Sequence, residues 1–135
     1  MKIIFSLFII LNGFGSKSQG HIGQTEQDII TAYKDNPNME IKIDYIKGKR
    51  TIIAQDYDAI MAFSIDAISK LCTMSIMYIK NENLLKKLIP FFDTHYTIII
   101  KGQKWDTYLN NHEIRIDLRY SSKMQESTII WYTPH

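Results

Sequence analysis

The chain has 135 residues and a single cysteine, Cys72. One thiol cannot close an internal disulfide, so the domain must be held by its core and not by cross-links. Three prolines and six glycines exclude collagen-like and Pro/Gly-rich disordered architectures. The longest nearly apolar run, Ile3 to Leu11 with Ser6 inside it, is too short to span a bilayer. Neither sign of charge dominates, with 16 Lys and Arg against 14 Asp and Glu. Lys2 and Lys17 lie in the first 20 residues, and setting them aside leaves 14 basic against 14 acidic. A neutral domain lacks the long-range field that draws proteins onto nucleic acid or anionic membrane, so neither is expected as a partner.

Motifs for chemistry are also missing. No Gly-x-Ser-x-Gly elbow occurs. Gly23 has no further glycines at phosphate-loop spacing, and it reads as a turn residue. His21, His95, His112 and His135 do not pair with another ligand at metal spacing, and His112-Glu113 lacks the second histidine of a zinc-protease helix. Asp56-Tyr57-Asp58 lacks the rest of a calcium loop. These histidines are therefore expected to be surface or structural groups, and the two acids solvated strand-edge residues. Cys72 lies in the strand-like LCTMSIMYI and is expected to be a buried, inert thiol. A nucleophilic Cys72 would need a base, and the nearest histidine in sequence is His95. The pattern thus names no catalytic residue, no cofactor and no metal.

What the chain does have begins at its N-terminus. MKIIFSLFIILNGFGSKSQG places one lysine, an apolar run and then small polar residues in the order of a secretory signal peptide. Small residues at Ser16 and Ser18 suit cleavage before Gln19, and Ser18 with Gly20 suits cleavage before His21. The expected organisation is a signal peptide over 1–20 and one domain over 21–135, exported to the periplasm or the medium. No stable membrane span is expected after cleavage.

Within the domain, Thr25 with Asp28 three residues later, followed by Ile29, Ile30 and Tyr33, predicts a capped helix over 25–35 that Pro37 stops. Ile41, Ile43 and Tyr45 alternate, Lys47-Gly48-Lys49 turns, and 51–54 resumes a strand. Tyr57, Ala59, Met61, Phe63 and Ile65 form a third alternating set, and Cys72, Met74, Ile76 and Tyr78 a fourth. A second helix is expected over 81–92, capped by Asn81, with Leu84, Leu85, Leu88 and Phe92 on one stripe and Pro90 kinking or ending it.

The last third predicts strands joined by tight turns at Gly102-Gln103 and Asn110-Asn111. Two-residue turns set Ile100 opposite Trp105, Trp105 opposite Ile116 and Asp106 opposite Arg115, leaving Lys101 awkwardly opposite Lys104. A last strand covers 127–132. The expected fold class is α+β: helix, four strands, helix, four strands, with both helices on one face of an antiparallel sheet of about eight strands.

Gly23, Thr25, Ile29-Ile30 and Pro37 follow the order glycine, one residue, threonine, helix, proline. This opening resembles the small exported SmpA/OmlA-like and β-lactamase-inhibitor-like domains, in which a short helix leads into an antiparallel sheet. The resemblance implies an exported helper that binds other proteins, although the chain lacks the lipidated cysteine of the lipoproteins. It assigns no binding residue.

The expected function is protein–protein contact, without catalysis, with another envelope or extracellular protein. The outer sheet face, with Asp106, Tyr108, Arg115 and Arg119, is the candidate partner-binding face, because Tyr and Arg are enriched at binding hot spots, and the alternative for it is a salt-laced solvated face. Two other functions stay open. One is an enzyme using a carboxylate or His95 in a cleft. The other is a carrier holding a small apolar ligand between the sheet and the Leu84–Phe92 helix.

Overall fold

A capping box opens the first helix, α1 (Glu26–Tyr33). The computed structural model describes residues 20–109, 111–123 and 125–134. The signal-peptide reading, apart from Gly20, lies outside the described residues. In α1 the Thr25 hydroxyl accepts from the Asp28 N–H at 3.1 Å, and the Asp28 carboxylate accepts from the Thr25 N–H at 3.2 Å. Only Ile29 and Tyr33 of this helix are buried, and Lys34 caps it, so it is shorter than the sequence suggests.

Four strands follow: β1 (Glu40–Ile46), β2 (Lys49–Gln55), β3 (Ala59–Ile65) and β4 (Cys72–Ile79). Then come α2 (Glu82–His95) and β5 (Thr97–Ile100), β6 (Lys104–Leu109), β7 (His112–Ser121) and β8 (Glu126–Tyr132). All pairings are antiparallel, in one eight-stranded sheet of order β1-β2-β3-β4-β8-β7-β6-β5. The helix-plus-four-strand layout therefore occurs twice, and the two runs meet where β4 pairs with β8.

Both helices pack on one face. Pairing sets Ile52, Phe63, Ser75, Trp131, Ile116 and Trp105 in one row across that face. All six are essentially inaccessible to solvent. Phe92 of α2 lies 5.0 Å from the Trp105 ring and 6.2 Å from the Trp131 ring. Burying one such side chain contributes about 1.5–3 kcal/mol. The Trp105 indole N–H is met by Asp93 at 2.8 Å. Leu84, Leu88 and Phe92 supply the buried stripe of α2, and Asn81 caps it.

Four local expectations are corrected. Pro90 does not end α2, which runs on to His95. The proline costs one backbone donor, but burial of Leu88 and Phe92 on either side holds the helix to the sheet. The fourth alternating set is split by an irregularity beside Cys72: Cys72 pairs with Ile65, but Met74 pairs with Ser64. Ser75, Met77 and Ile79 therefore face the core with Cys72, whereas Met74, Ile76 and Tyr78 face outward. A bulge between Ile98 and Ile100 likewise sets Ile98, not Ile100, opposite Trp105. That bulge puts Ile100 opposite Lys104, which removes the Lys101–Lys104 clash that a two-residue turn would impose. Finally, Asp56 and Asp58 are buried, not solvated. Asp56 Oδ1 accepts from the N–H groups of Asp58 and Ala59 at 2.8 and 3.1 Å, and Asp58 Oδ1 accepts from Asn81 at 2.8 Å. These acids tie the β2–β3 turn to the start of α2.

The β6–β7 register follows the sequence. Trp105 faces Ile116, Asp106 faces Arg115 and Lys104 faces Asp117.

Candidate functional site

On the helix face, three segments distant in sequence enclose a cleft of about 550 Å³. The start of α1 contributes Thr25, Glu26 and Gln27. The β1–β2 hairpin contributes Tyr45, Gly48, Lys49 and Arg50. The β3 end and its loop contribute Ile65, Asp66, Ala67 and Lys70.

Local sequence explains each placement. Arg50 shares its strand face with Ile52 and Ala54, so it points to the helix side. There its guanidinium donates to both oxygens of Glu26, at 2.6 and 3.1 Å, and to the Tyr45 hydroxyl at 3.3 Å. Such a two-point Arg–carboxylate contact fixes geometry as well as charge. The hydrogen bond from Arg50 holds Glu26 below the ordinary carboxylate range. Asp66 accepts from the N–H groups of Ile68 and Ser69 at 3.1 and 2.8 Å, and these bonds hold its carboxyl low as well. Both acids of the cleft are thus ionised and engaged. Lys49 and Lys70 make no close ion pair among the described residues, although the charge of Lys49 helps to lower the Asp66 carboxyl. The cleft wall therefore offers two lysines, a fixed Arg–Glu pair and the apolar surfaces of Tyr45, Ile65 and Ala67.

A smaller pocket of about 310 Å³ is lined by Ile22, Leu71, Cys72, Leu109, His112 and Ile114, among others. It brings Cys72 and a histidine to one cavity, though the histidine is His112 and not His95. Burial pushes the Cys72 thiol up to about 11, and its Sγ lies 3.5 Å from Ser75 Oγ. A thiol held protonated is a poor nucleophile.

The residues read from sequence are partly brought together. Asp106 is buried and receives Arg115 at 2.8 and 3.1 Å, and Arg115 also reaches Glu113 at 3.0 Å. Arg119 lies 3.5 Å from Asp117, with its side chain 66% exposed. Tyr108 is 62% exposed. Asp106 and Arg115 are thus spent largely on one another, and Tyr108 and Arg119 are the accessible members of that face. His95 is exposed, stacks on Phe91 at 4.2 Å and contacts the Phe91 carbonyl at 2.9 Å, away from the cleft. His21 is structural: its Nε2 lies 2.8 Å from the Tyr33 hydroxyl, and its ring meets Phe63 edge-on at 5.3 Å.

Sequence reading missed the cleft residues Glu26, Lys49, Arg50, Asp66 and Lys70. One signal was present. Arg50 alternates with Ile52 and Ala54, which places its side chain on the helix side of the strand.

Among the described residues, no three His, Cys, Asp or Glu side chains converge as metal ligands. Nor is any described helix long and apolar enough to cross a membrane. Comparison of the chain with protein-family models, curated proteins and solved structures returns no match.

Proposed function

We propose that this protein is an exported binding domain whose cleft takes a small anionic molecule. The observation that carries this reading is the cleft itself. Lys49 and Lys70 stand on its wall without a close ion pair, beside the two-point Arg50–Glu26 contact and the apolar surfaces of Tyr45, Ile65 and Ala67. A carboxylate or phosphate compound with an apolar portion matches that lining. Binding is favoured over catalysis because an acid–base catalyst must titrate near working pH. Glu26 and Asp66 are both held in the other direction.

Nor does the space beneath α2 favour an apolar-ligand carrier, since Phe92, Trp105 and Trp131 fill it with mutually contacting rings. The exported location rests on the layout of residues 1–20, and the likeness of residues 23–37 to exported helper domains is in keeping with it. A role as a helper for other envelope proteins would use the opposite sheet face, where Tyr108 and Arg119 are exposed.

The test is a thermal-shift screen of the purified protein against small carboxylates, phosphates and uncharged analogues. Anionic compounds are expected to raise the melting temperature, because a ligand that binds only the folded state stabilises it. The effect should vanish in a Lys49→Glu, Lys70→Glu double variant that still folds. A shift that survives in that variant, or is equal for uncharged analogues, would reject the assignment.

A further inference from the structure

The face opposite the helices carries an ordered pattern of its own. Pairing fixes three rows across it. The first reads Lys42, Ile53, Ala62, Ile76, Ile130, Asp117 from β1 to β7. The second reads Asp44, Thr51, Ser64, Met74, Tyr132, Arg115. The third reads Glu40, Gln55, Ile60, Tyr78, Thr128, Arg119. The centre of these rows carries Ile, Met and Tyr side chains interspersed with Ala62, Thr51, Ser64, Gln55 and Thr128, and the charges stand on β1 and β7 and continue on β6 as Lys104 and Asp106. No helix among the described residues covers this face.

We infer that this face is a homodimer interface, with a second copy packed sheet against sheet about a two-fold axis that runs parallel to the strands between β3 and β4. Such an axis sets β1 opposite β7 of the second copy, β2 opposite β8 and β3 opposite β4, and leaves each row facing itself in reverse. Lys42 then meets Asp117, Asp44 meets Arg115 and Glu40 meets Arg119. Between them Ile53 meets Ile130, Ala62 meets Ile76 and Ile60 meets Tyr78. Across these three rows each charge of β1 faces the opposite sign on β7, where Arg115 is shared with Asp106 and Glu113 of its own chain and Asp117 with Lys104 and Arg119, and the contact is self-complementary, as a two-fold interface must be.

The pattern also rejects the other in-plane axis. A two-fold perpendicular to the strands would set Lys42 on Lys42, Asp117 on Asp117, Glu40 on Asp44 and Arg115 on Arg119. Like charges placed together suppress that arrangement.

The area suffices. Six strands about 4.8 Å apart and three rows about 6.8 Å apart give about 29 by 20 Å. That buries about 1,200 Å² in total, the lower end of stable interfaces. Packed sheets lie about 10 Å apart with strands within about 30°. The flexible Lys, Arg and Glu side chains take up the resulting offset at the rim.

The test is sedimentation equilibrium of the protein expressed from its full-length sequence, with Glu40→Arg, Arg119→Glu and the double variant alongside. Both positions are exposed, and circular dichroism checks that each variant folds. The unaltered protein is expected to sediment as a dimer. Each single variant should weaken the dimer roughly ten-fold or more, and the double variant should restore it. A monomer at all concentrations up to about 100 µM, a dimer indifferent to both reversals, or a double variant that fails to restore association would each overturn the inference.

Discussion

Gly20 lies so close to Trp131 that a β-carbon at residue 20 would sit 2.6 Å from the indole Cγ. Its φ of +72° also belongs to the left-handed region, and its carbonyl accepts a hydrogen bond from Ser75. Gly20→Ala is therefore expected to lower unfolding free energy by about 2–4 kcal/mol, combining left-handed strain with overpacking. Gly23 is the control, since its φ is +86° but nothing stands within 4 Å of an added β-carbon. Gly23→Ala should cost only about 1 kcal/mol in the same urea titration.

The same contact bears on the proposed signal cleavage. Removing Gly20 would open the packing over Trp131 and leave Ser75 without its acceptor. Of the two candidate cleavage sites, the one before Gln19 keeps Gly20 in the domain. On the proposed export, N-terminal sequencing of the mature protein should begin at Gln19, and a start at His21 would contradict this.

Cys72 should be silent in the folded state. Its folded thiol is raised to about 11 from an ordinary 9.0. Between those values the unfolded chain releases the proton and the folded chain keeps it. Stability from this group is complete below about 9 and is lost as pH rises through 11. A thiol-specific reagent at pH 8 is expected to label Cys72 only after denaturant is added.

Acid should act through Asp106. The Arg115 hydrogen bonds hold its carboxyl below the ordinary 3.8, so the unfolded chain binds protons first as pH falls. Its contribution is full above about 4 and disappears as pH drops through the lowered folded value. Asp106→Asn should flatten the acid limb of a stability-versus-pH curve, and Arg115 should then lose its two-point partner.

Pro90 is exposed inside α2 and deprives the helix of one backbone hydrogen bond. Pro90→Ala is expected to raise unfolding free energy by about 1 kcal/mol or more, because alanine restores the donor and fits the helix interior. A loss of stability would mean that the proline is needed for the path of α2 over Trp105.

Particular residues show how far the sequence could be read. The β6–β7 register was legible because one choice of turn pairs Asp106 with Arg115 and Trp105 with Ile116 at once. Thr25 with Asp28 and Asn81 were legible because capping is local chemistry. The two strand irregularities, at Cys72 and at Ile98, were not, because an alternating pattern reads through a bulge until pairing fixes where the extra residue sits. Asp56 and Asp58 looked solvated because nothing in a strand-edge sequence reveals that Asn81 will cover the turn. The cleft was invisible for a related reason. Glu26, Arg50 and Lys70 are separated by more than 15 residues each, and only the β2–β3 pairing and the seat of α1 bring them together. Lys49 and Lys70 carried no local mark at all.

The most direct measurement is an amide nitrogen–proton NMR titration of the protein with the anionic compounds that raise its melting temperature. The expected result is saturable shifts at Gly48, Lys49, Arg50, Ala67 and Lys70, with the β5–β6 end of the sheet unmoved. Shifts centred on that distant end, or on the pocket beside Cys72, would contradict the cleft as the binding site.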